Sequence, residues 1–175
     1  MPAKPKVYLE SSCFIEIAKH TVGTDDQSRE QDVWILKRLL MACKNQHIEI
    51  YTSMLSVAEC QSAKPILDDR VKGIFKALLT SGQYVMLVQD TILIAERARN
   101  LRWVHDINCA GPDALHIGSA MEMECEELLS FDRGILKIAP ELEKLGLNVR
   151  IPRDTLVLPA RYRQEKLDLG VTEEI

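Results

Sequence analysis

The chain has 175 residues, 46 % of them hydrophobic and 27 % charged, with a formal net charge of −4; this suits one globular domain with an adequate core and argues against a broadly basic nucleic-acid coat. No apolar run approaches the roughly 20 residues that a bilayer crossing needs, and Glu10 interrupts the one N-terminal stretch that could imitate a signal sequence. Cys13, Cys43, Cys60, Cys109 and Cys125 are scattered without a C-x-x-C pair, so a closed disulfide framework is disfavoured and the expectation is a soluble, cytoplasmic protein with thiols in its core.

Lys6-Val7-Tyr8-Leu9-Glu10 reads as a short strand with an acid at its end, followed by a short helix from Phe14 to Lys19. Ser28 and Gln31 have the spacing of a capping box, and Val33, Leu36, Leu40 and Cys43 recur on one face of a helix running to about Lys44. His47 to Tyr51 is a second strand, and Ser53 to about Ser62 is a helix that carries Glu59. After Pro65, the apolar Leu67, Val71, Ile74, Phe75 and Leu78 place a helix over Ile66 to Leu79, ended by Gly82. Tyr84 to Val88 is a strand, and Asp90 opens a helix to about His105. The chain then turns over Asn108 to Pro112. A helix from Asp113 to about Glu124, a strand from Glu127 to Phe131, a short helix after Asp132 and a strand from Leu147 to Ile151 follow. Residues 152 to 175, with Pro152, Pro159, Arg161-Tyr162-Arg163 and an acidic end at Glu173-Glu174, read as an appendage that wraps the domain, docks on a partner or stays mobile.

Short apolar strands alternating with helices predict an α/β fold, a three-layer α/β/α sandwich around a mainly parallel sheet. Ligands of such sheets collect outside the carboxyl ends of the strands. Glu10 and Asp132 sit at such ends, while Glu59 and Asp113 lie in helices that start on the same edge, so four acids far apart in sequence can converge. Hard oxygen ligands of this kind select Mg²⁺ or Mn²⁺, whereas zinc calls for closely spaced histidines or thiolates. Such ions activate water and offset charge in phosphodiester hydrolysis.

Each acid also has a plain explanation. Asp113 after Pro112 complements a helix dipole, Asp132 before Arg133-Gly134 suits a turn or N-cap, Glu59 suits a solvated helix face, and Glu10 a strand end. The functional reading rests on their joint placement. His116, one turn after Asp113, reads as a packed or hydrogen-bonded helix histidine. Ser12, Ser53 and Ser56 are closer to the proposed site by sequence: Ser12 is placed to hydrogen-bond a metal ligand or a phosphate, and Ser53 to cap a helix. The groups Lys64, Arg70, Lys72, Lys76 and Arg97, Arg99, Arg102 either track a phosphate backbone or form solvated helix faces. Neither G-x-G-x-x-G nor G-x-x-x-x-G-K-[ST] is present.

The segments Asp113-Ala114-Leu115-His116-Ile117-Gly118-Ser119-Ala120 and Leu128-Leu129-Ser130-Phe131-Asp132 resemble the third and fourth acidic positions of the PIN-domain nucleases, and among them of the compact VapC-like ribonuclease toxins. Val7-Tyr8-Leu9-Glu10-Ser11-Ser12 is similar to that family's first strand and first acid, and Ser53-Met54-Leu55-Ser56-Val57-Ala58-Glu59 to its second. The resemblance spans residues 6 to about 151. It implies a PIN-like nuclease domain over 1–151 with a C-terminal extension over 152–175, and Mg²⁺ or Mn²⁺ held by Glu10, Glu59, Asp113 and Asp132. It further implies hydrolysis of single-stranded RNA, a homodimer and, in toxin members, a protein antitoxin. Two features depart from the family pattern: Glu10 stands where an aspartate is usual, and the chain continues well past Ile151. Two other functions compete with this one. A PIN-like module without catalysis would bind RNA or protein. A phosphatase or phosphoacceptor would need a nucleophilic aspartate at the end of the first strand, which Glu10-Ser11-Ser12 does not supply.

Overall fold

Val7, Tyr8 and Leu9 are all fully buried, yet they enter two different cores. Successive strand side chains point to opposite faces, so Val7 and Leu9 pack to one side of the sheet and Tyr8 to the other. This is the behaviour of a strand covered on both sides, and it explains why the segment reads as a continuous apolar run rather than an alternating one. The computed structural model describes residues 3–24, 26–61 and 69–164.

Five parallel strands, β1 (Lys6–Leu9), β2 (Glu49–Ser53), β3 (Met86–Val88), β4 (Glu127–Leu129) and β5 (Asn148–Arg150), form one sheet in the order β3-β2-β1-β4-β5. Val7 stands opposite Ile50 of β2 and Glu127 of β4, which puts β1 at the centre. Helices α1 (Ser11–Thr21), α2 (Glu30–Lys44), α3 (Met54–Glu59) and α4 (Asp69–Phe75) follow the first two strands, and the Phe14, Leu36, Leu39 and Leu40 side chains of α1 and α2 pack with Val7, Leu9 and Ile50. On the other face, α5 (Ile92–Trp103), α6 (Gly111–Glu122), α7 (Arg133–Lys137) and α8 (Ala139–Glu143) bring Ile94, Leu101, Ile117, Ile135 and Leu142 against Tyr8, Tyr51 and Leu128. The result is the three-layer α/β/α arrangement expected from the sequence.

The order reverses at β1 and β4: β1 leads into α1 on one face, and its neighbour β4 leads into α7 on the other. Neighbouring strands whose connections leave in opposite directions open a crevice at their carboxyl ends. Glu10 directly follows β1, and Asp132 caps α7 just beyond β4.

Several local expectations are corrected. The start of α2 is not a Ser28 capping box; the Asp26 carboxylate accepts the Ser28 N–H at 2.9 Å and forms a 3₁₀ turn, Gln27–Arg29, before the helix begins. The second strand runs two residues later than predicted, because Gln46 takes a φ of 61° and His47 is drawn aside by a 2.7 Å contact with the Tyr162 hydroxyl. The helix carrying Glu59 ends there, with Cys60 as its C-cap. Leu78 and Leu79 fall in a π-helical turn, Lys76–Thr80, that continues α4. Thr91, rather than Asp90, caps α5 through a bond to the Ile94 N–H. An unforeseen helix, α8, has Pro140 in its first turn and Leu142 in the core. The expectations at Lys64, Pro65, Ile66, Leu67 and Glu173-Glu174 lie outside the described residues.

Gly118 is where α6 meets α5: a Cβ there would lie 2.9 Å from the Ile94 carbonyl oxygen and 3.3 Å from the Ala98 nitrogen. Both are backbone atoms and cannot rotate away. Gly118→Ala is expected to push the two helices apart and cost about 1–3 kcal/mol, the usual penalty of overpacking, measured by urea unfolding.

Residues just past Ile151 pack back onto the domain. Val157, Leu158 and Tyr162 join the core on the α1–α2 face. Arg153 donates from its backbone N–H at 2.8 Å and from Nε at 3.0 and 3.1 Å to the carboxylate of Asp32, which is only 1 % exposed. Glu127, buried in β4, accepts from Arg150 Nε at 3.1 Å and from the Leu156 N–H at 2.9 Å. Removing one member of a buried pair strands the other. Asp32 is the buried member and the Arg153 guanidinium is partly exposed, so Arg153→Ala is expected to lower the denaturation midpoint in urea by leaving the Asp32 carboxylate without its cation.

Candidate metal centre

Glu10 is the N-cap of α1, 6 % exposed, and its carboxylate is saturated with donors. The Ser11 hydroxyl and the Ser12 N–H, the latter at 3.1 Å, donate to Oε1; the hydroxyls of Ser12 and Ser130, the latter at 2.9 Å, donate to Oε2. Ser12 Oγ in turn accepts the Phe131 N–H at 3.0 Å, and Ser130 Oγ accepts the Asp132 N–H at 2.8 Å. Glu10 thus ties the end of β1 to the turn that leads out of β4. Asp132 caps α7, accepting from the N–H groups of Gly134 and Ile135 at 2.6 and 3.2 Å through Oδ1. Its N-cap role and its place at the crevice are both realised.

Glu59 closes α3 with its side chain 31 % exposed, and its Oε2 lies 2.9 Å from Nε2 of His116. One ligand atom each from Glu10, Glu59 and His116 lie within 4.8 Å of one another. Asp113 and Asp132 fall outside that trio but meet across Gly134, where a Cβ would be 2.9 Å from Asp132 Oδ1 and 3.5 Å from Asp113 Oδ2. Burial, then the negative charges of Asp132 and Glu10, holds the Asp113 carboxyl above the ordinary carboxylate range, with His116 opposing and Glu59 adding to the rise. The hydrogen bond from His116 holds Glu59 below that range, against its partial burial.

Among the described residues, no lysine or arginine pairs with Glu10, Asp113 or Asp132. Carboxylates at a partly buried edge, where burial and then like charge raise Asp113 and no lysine or arginine among the described residues pairs with Glu10, Asp113 or Asp132, are a donor set that a divalent cation fits. Of these side chains, Glu10 and Glu59 together with His116 form a group that could hold a metal ion.

The sequence reading named Ser12 and left Ser53 and Ser56 open. Ser12 serves Glu10. Ser53 stands at the N-cap position of α3 without a side-chain capping bond, and Ser56 is buried, accepting from Thr52 Oγ1 at 2.7 Å. Tyr8 and Ser130 carry no local signal, because their contacts with His116 and Glu10 join segments far apart in the chain, whereas Ser11 and Gly134 lie beside Glu10 and Asp132 in sequence. Of the basic groups, Lys72, Arg97, Arg99 and Arg102 pair with Asp69, Glu122, Glu96 and Asp106, as solvated helix faces do. Arg29 places a guanidinium 4.5 Å above the Phe131 ring while pairing with Glu16 at 2.8 Å. None of the five cysteines forms a disulfide. Beside the site, burial and then the charges of Glu10 and Glu59 push the Cys60 thiol up to about 12, so it stays protonated.

Fold and site together define an α/β protein with an all-parallel sheet and an acidic cluster at its carboxyl edge. Neither a family model nor a curated protein matches the chain. Several solved structures do, among them the following two. VapBC2 from Rickettsia felis, bound to a DNA fragment from their promoter, aligns with a TM-score of 0.58 at 12 % identity, over 83 % of this chain and 98 % of that one. FitAcB from Neisseria gonorrhoeae aligns with a TM-score of 0.51 at 14 % identity, over 85 % and 99 %. At such identities the similarity is one of fold. Among the described residues, no helix is long and apolar enough to cross a membrane.

Proposed function

We propose that this chain is a PIN-like, Mg²⁺- or Mn²⁺-dependent endoribonuclease that hydrolyses phosphodiester bonds of single-stranded RNA, acting as the toxin of a toxin–antitoxin pair. The observation that supports the reading is the nearness of Glu10 and Glu59 and of Asp113 and Asp132 across Gly134 at the β1–β4 crevice, with Asp113 raised by burial and then by the charges of Asp132 and Glu10. The resemblance of the late acidic segments to VapC-like toxins supports it, and so does the shared fold with VapBC2 and FitAcB. A homodimer and a protein antitoxin belong to the same proposal.

A divalent ion bound there supplies an activated water and positive charge for the phosphate oxygens. The chain's own residues do the rest. Glu10 fixes the α1 start and the 130–132 turn against each other, so the carboxylates keep their spacing. A carboxylate of the cluster would take the proton of the attacking water. Purified protein is expected to cut single-stranded RNA with Mn²⁺ and to stop when a chelator is added; equal cutting in chelator overturns the reading.

One observation favours a second reading, a PIN-like RNA-binding or protein-interaction module without catalysis: four donors already occupy the Glu10 carboxylate. Calorimetry finding no divalent-ion binding at millimolar concentration would select this reading, as would strong activity gained by Glu10→Asp.

A further inference from the structure

We propose that the outward face of α5 seats a second copy of this chain, packed helix against helix about a two-fold axis that crosses α5 between Arg97 and Ala98. This names the surface of the homodimer proposed above and rests on that part of the reading alone.

Among the aromatic side chains of the chain, Trp103 alone is exposed, at 72 %. It belongs to a stripe. Ile92, Glu96, Arg99 and Trp103 recur at intervals of four, three and four residues, which at 3.6 residues per turn sets them within about 60° of one another around the helix axis. On the opposite side, Ile94 and Leu101 are buried in the core that α5 shares with α6. Ile92 is 74 % exposed, and the Glu96 and Arg99 side chains are about half exposed. Leu93 and Val104 flank the stripe in sequence and are exposed too, as are Met86 and Leu87 on β3, an edge strand of the sheet. Single exposed apolar residues are ordinary; a gathering of them around one helix marks a contact surface.

The order of the stripe says what the contact is with. It runs apolar, acid, base, apolar, and its two halves complement each other. A copy laid antiparallel across it brings Ile92 against Trp103 of the second copy, and Glu96 against Arg99 of the second copy, each pair twice by symmetry. A two-fold contact needs this property, because one patch meets itself. Ala95, exposed beside Glu96, lets the two helices approach closely. Within one chain Glu96 and Arg99 are 3.6 Å apart and in solvent, a pair of small worth that is exchanged for the one between copies at little cost. The Arg99 guanidinium lies 4.5 Å from the Trp103 ring centroid, yet most of the indole stays open to a partner.

A single-stranded nucleic acid suits this face less. Arg97 holds Glu122 and Arg102 holds Asp106, so each arginine of α5 already has a carboxylate beside it, and the face offers no excess positive charge to a phosphate backbone.

Sedimentation equilibrium of the full chain, in chelator and without RNA, tests the proposal apart from any metal chemistry. Wild type is expected to be a dimer. Trp103→Ala should raise the dimer dissociation constant on the order of 100-fold, since a central aromatic anchor is lost from both copies. Glu96→Arg and Arg99→Glu each set like charges face to face and should each weaken the dimer about tenfold or more, while the double variant Glu96→Arg/Arg99→Glu should recover most of the wild-type affinity. Misfolding would not give that recovery. A dimer unmoved by Trp103→Ala and by both charge variants sits on another face and overturns this proposal alone. Two weakened single variants without recovery in the double variant overturn it as well, as does a Trp103→Ala variant that loses affinity for single-stranded RNA and keeps its oligomeric state. A wild type that stays monomeric at the highest soluble concentration overturns both this face and the homodimer, and leaves the nuclease reading to the cleavage assay.

Discussion

Asp113→Asn is expected to lose Mn²⁺-dependent RNA cleavage by a factor on the order of 10²–10³, the scale of removing one preorganised electrostatic group, and yet to melt above wild type in chelator at pH 7. The two effects have one origin. Burial and the neighbouring charges of Asp132 and Glu10 raise the folded-state pKa of Asp113 above its value in the unfolded chain. Over that interval the native state holds a proton that the unfolded state has released. Stability from this group is present below the ordinary carboxylate pKa and is lost as the pH rises through the raised one. At neutral pH the ionised Asp113 opposes folding, and asparagine, uncharged at every pH, removes the opposition. The melting advantage should shrink on acidification below the ordinary carboxylate range. Adding Mn²⁺ should reverse the order, because an ion that binds only the folded wild type stabilises it by mass action. Thermal melts across pH in chelator and in Mn²⁺, beside a cleavage assay, check the whole pattern. A wild type that melts above the variant in chelator at pH 7 would show that crowding of like charge does not govern this edge.

What the sequence made legible follows from where the decisive interactions are local. Pro112 in the first turn of α6, Asp113 beside it and Asp132 before a short helix are local signals, and all three residues hold those places. The parallel sheet was legible because β1 and β4 carry the consecutive apolar residues Val7-Tyr8-Leu9 and Leu128-Leu129 and are separated by helices. The start of α2 was misread since two local caps compete within three residues, and the Asp26 carboxylate reaches the Ser28 N–H first. The second strand was placed two residues early because its true beginning depends on Tyr162, more than a hundred positions away, drawing His47 out of line.

The candidate site divides the same way. Its four carboxylates could be named one by one, since each has a recognisable local setting. Their supports could not. Ser130 reaches Glu10 across 120 positions of sequence, and Tyr8 reaches His116 across 108. Such hydrogen bonds exist only once the sheet has ordered β1 beside β4 and laid α6 over them. His116 was rightly read as a hydrogen-bonded helix histidine, but its partners were beyond any spacing rule.

Glu10→Ala carries the largest expected loss of stability, about 2–4 kcal/mol, from the missing N-cap of α1 and from the buried hydroxyls it would strand. Ser11, Ser12 and Ser130 all turn a hydroxyl toward this carboxylate, and Ser12 and Ser130 also receive the N–H groups of Phe131 and Asp132. Without the carboxylate, each serine must find a new acceptor in a place from which water is nearly excluded. The 130–132 turn loses its tie to α1 at the same time. Glu10→Gln should cost less, because it keeps one acceptor oxygen and serine hydroxyls can rotate to accept from its amide. Glu10→Asp should fall between the two: aspartate caps helices well but is one methylene shorter, and it withdraws from Ser130. Urea unfolding of the three variants gives the order directly. An alanine variant within a few tenths of a kcal/mol of wild type would show that water replaces the carboxylate, and that Glu10 does not hold the two strand ends together.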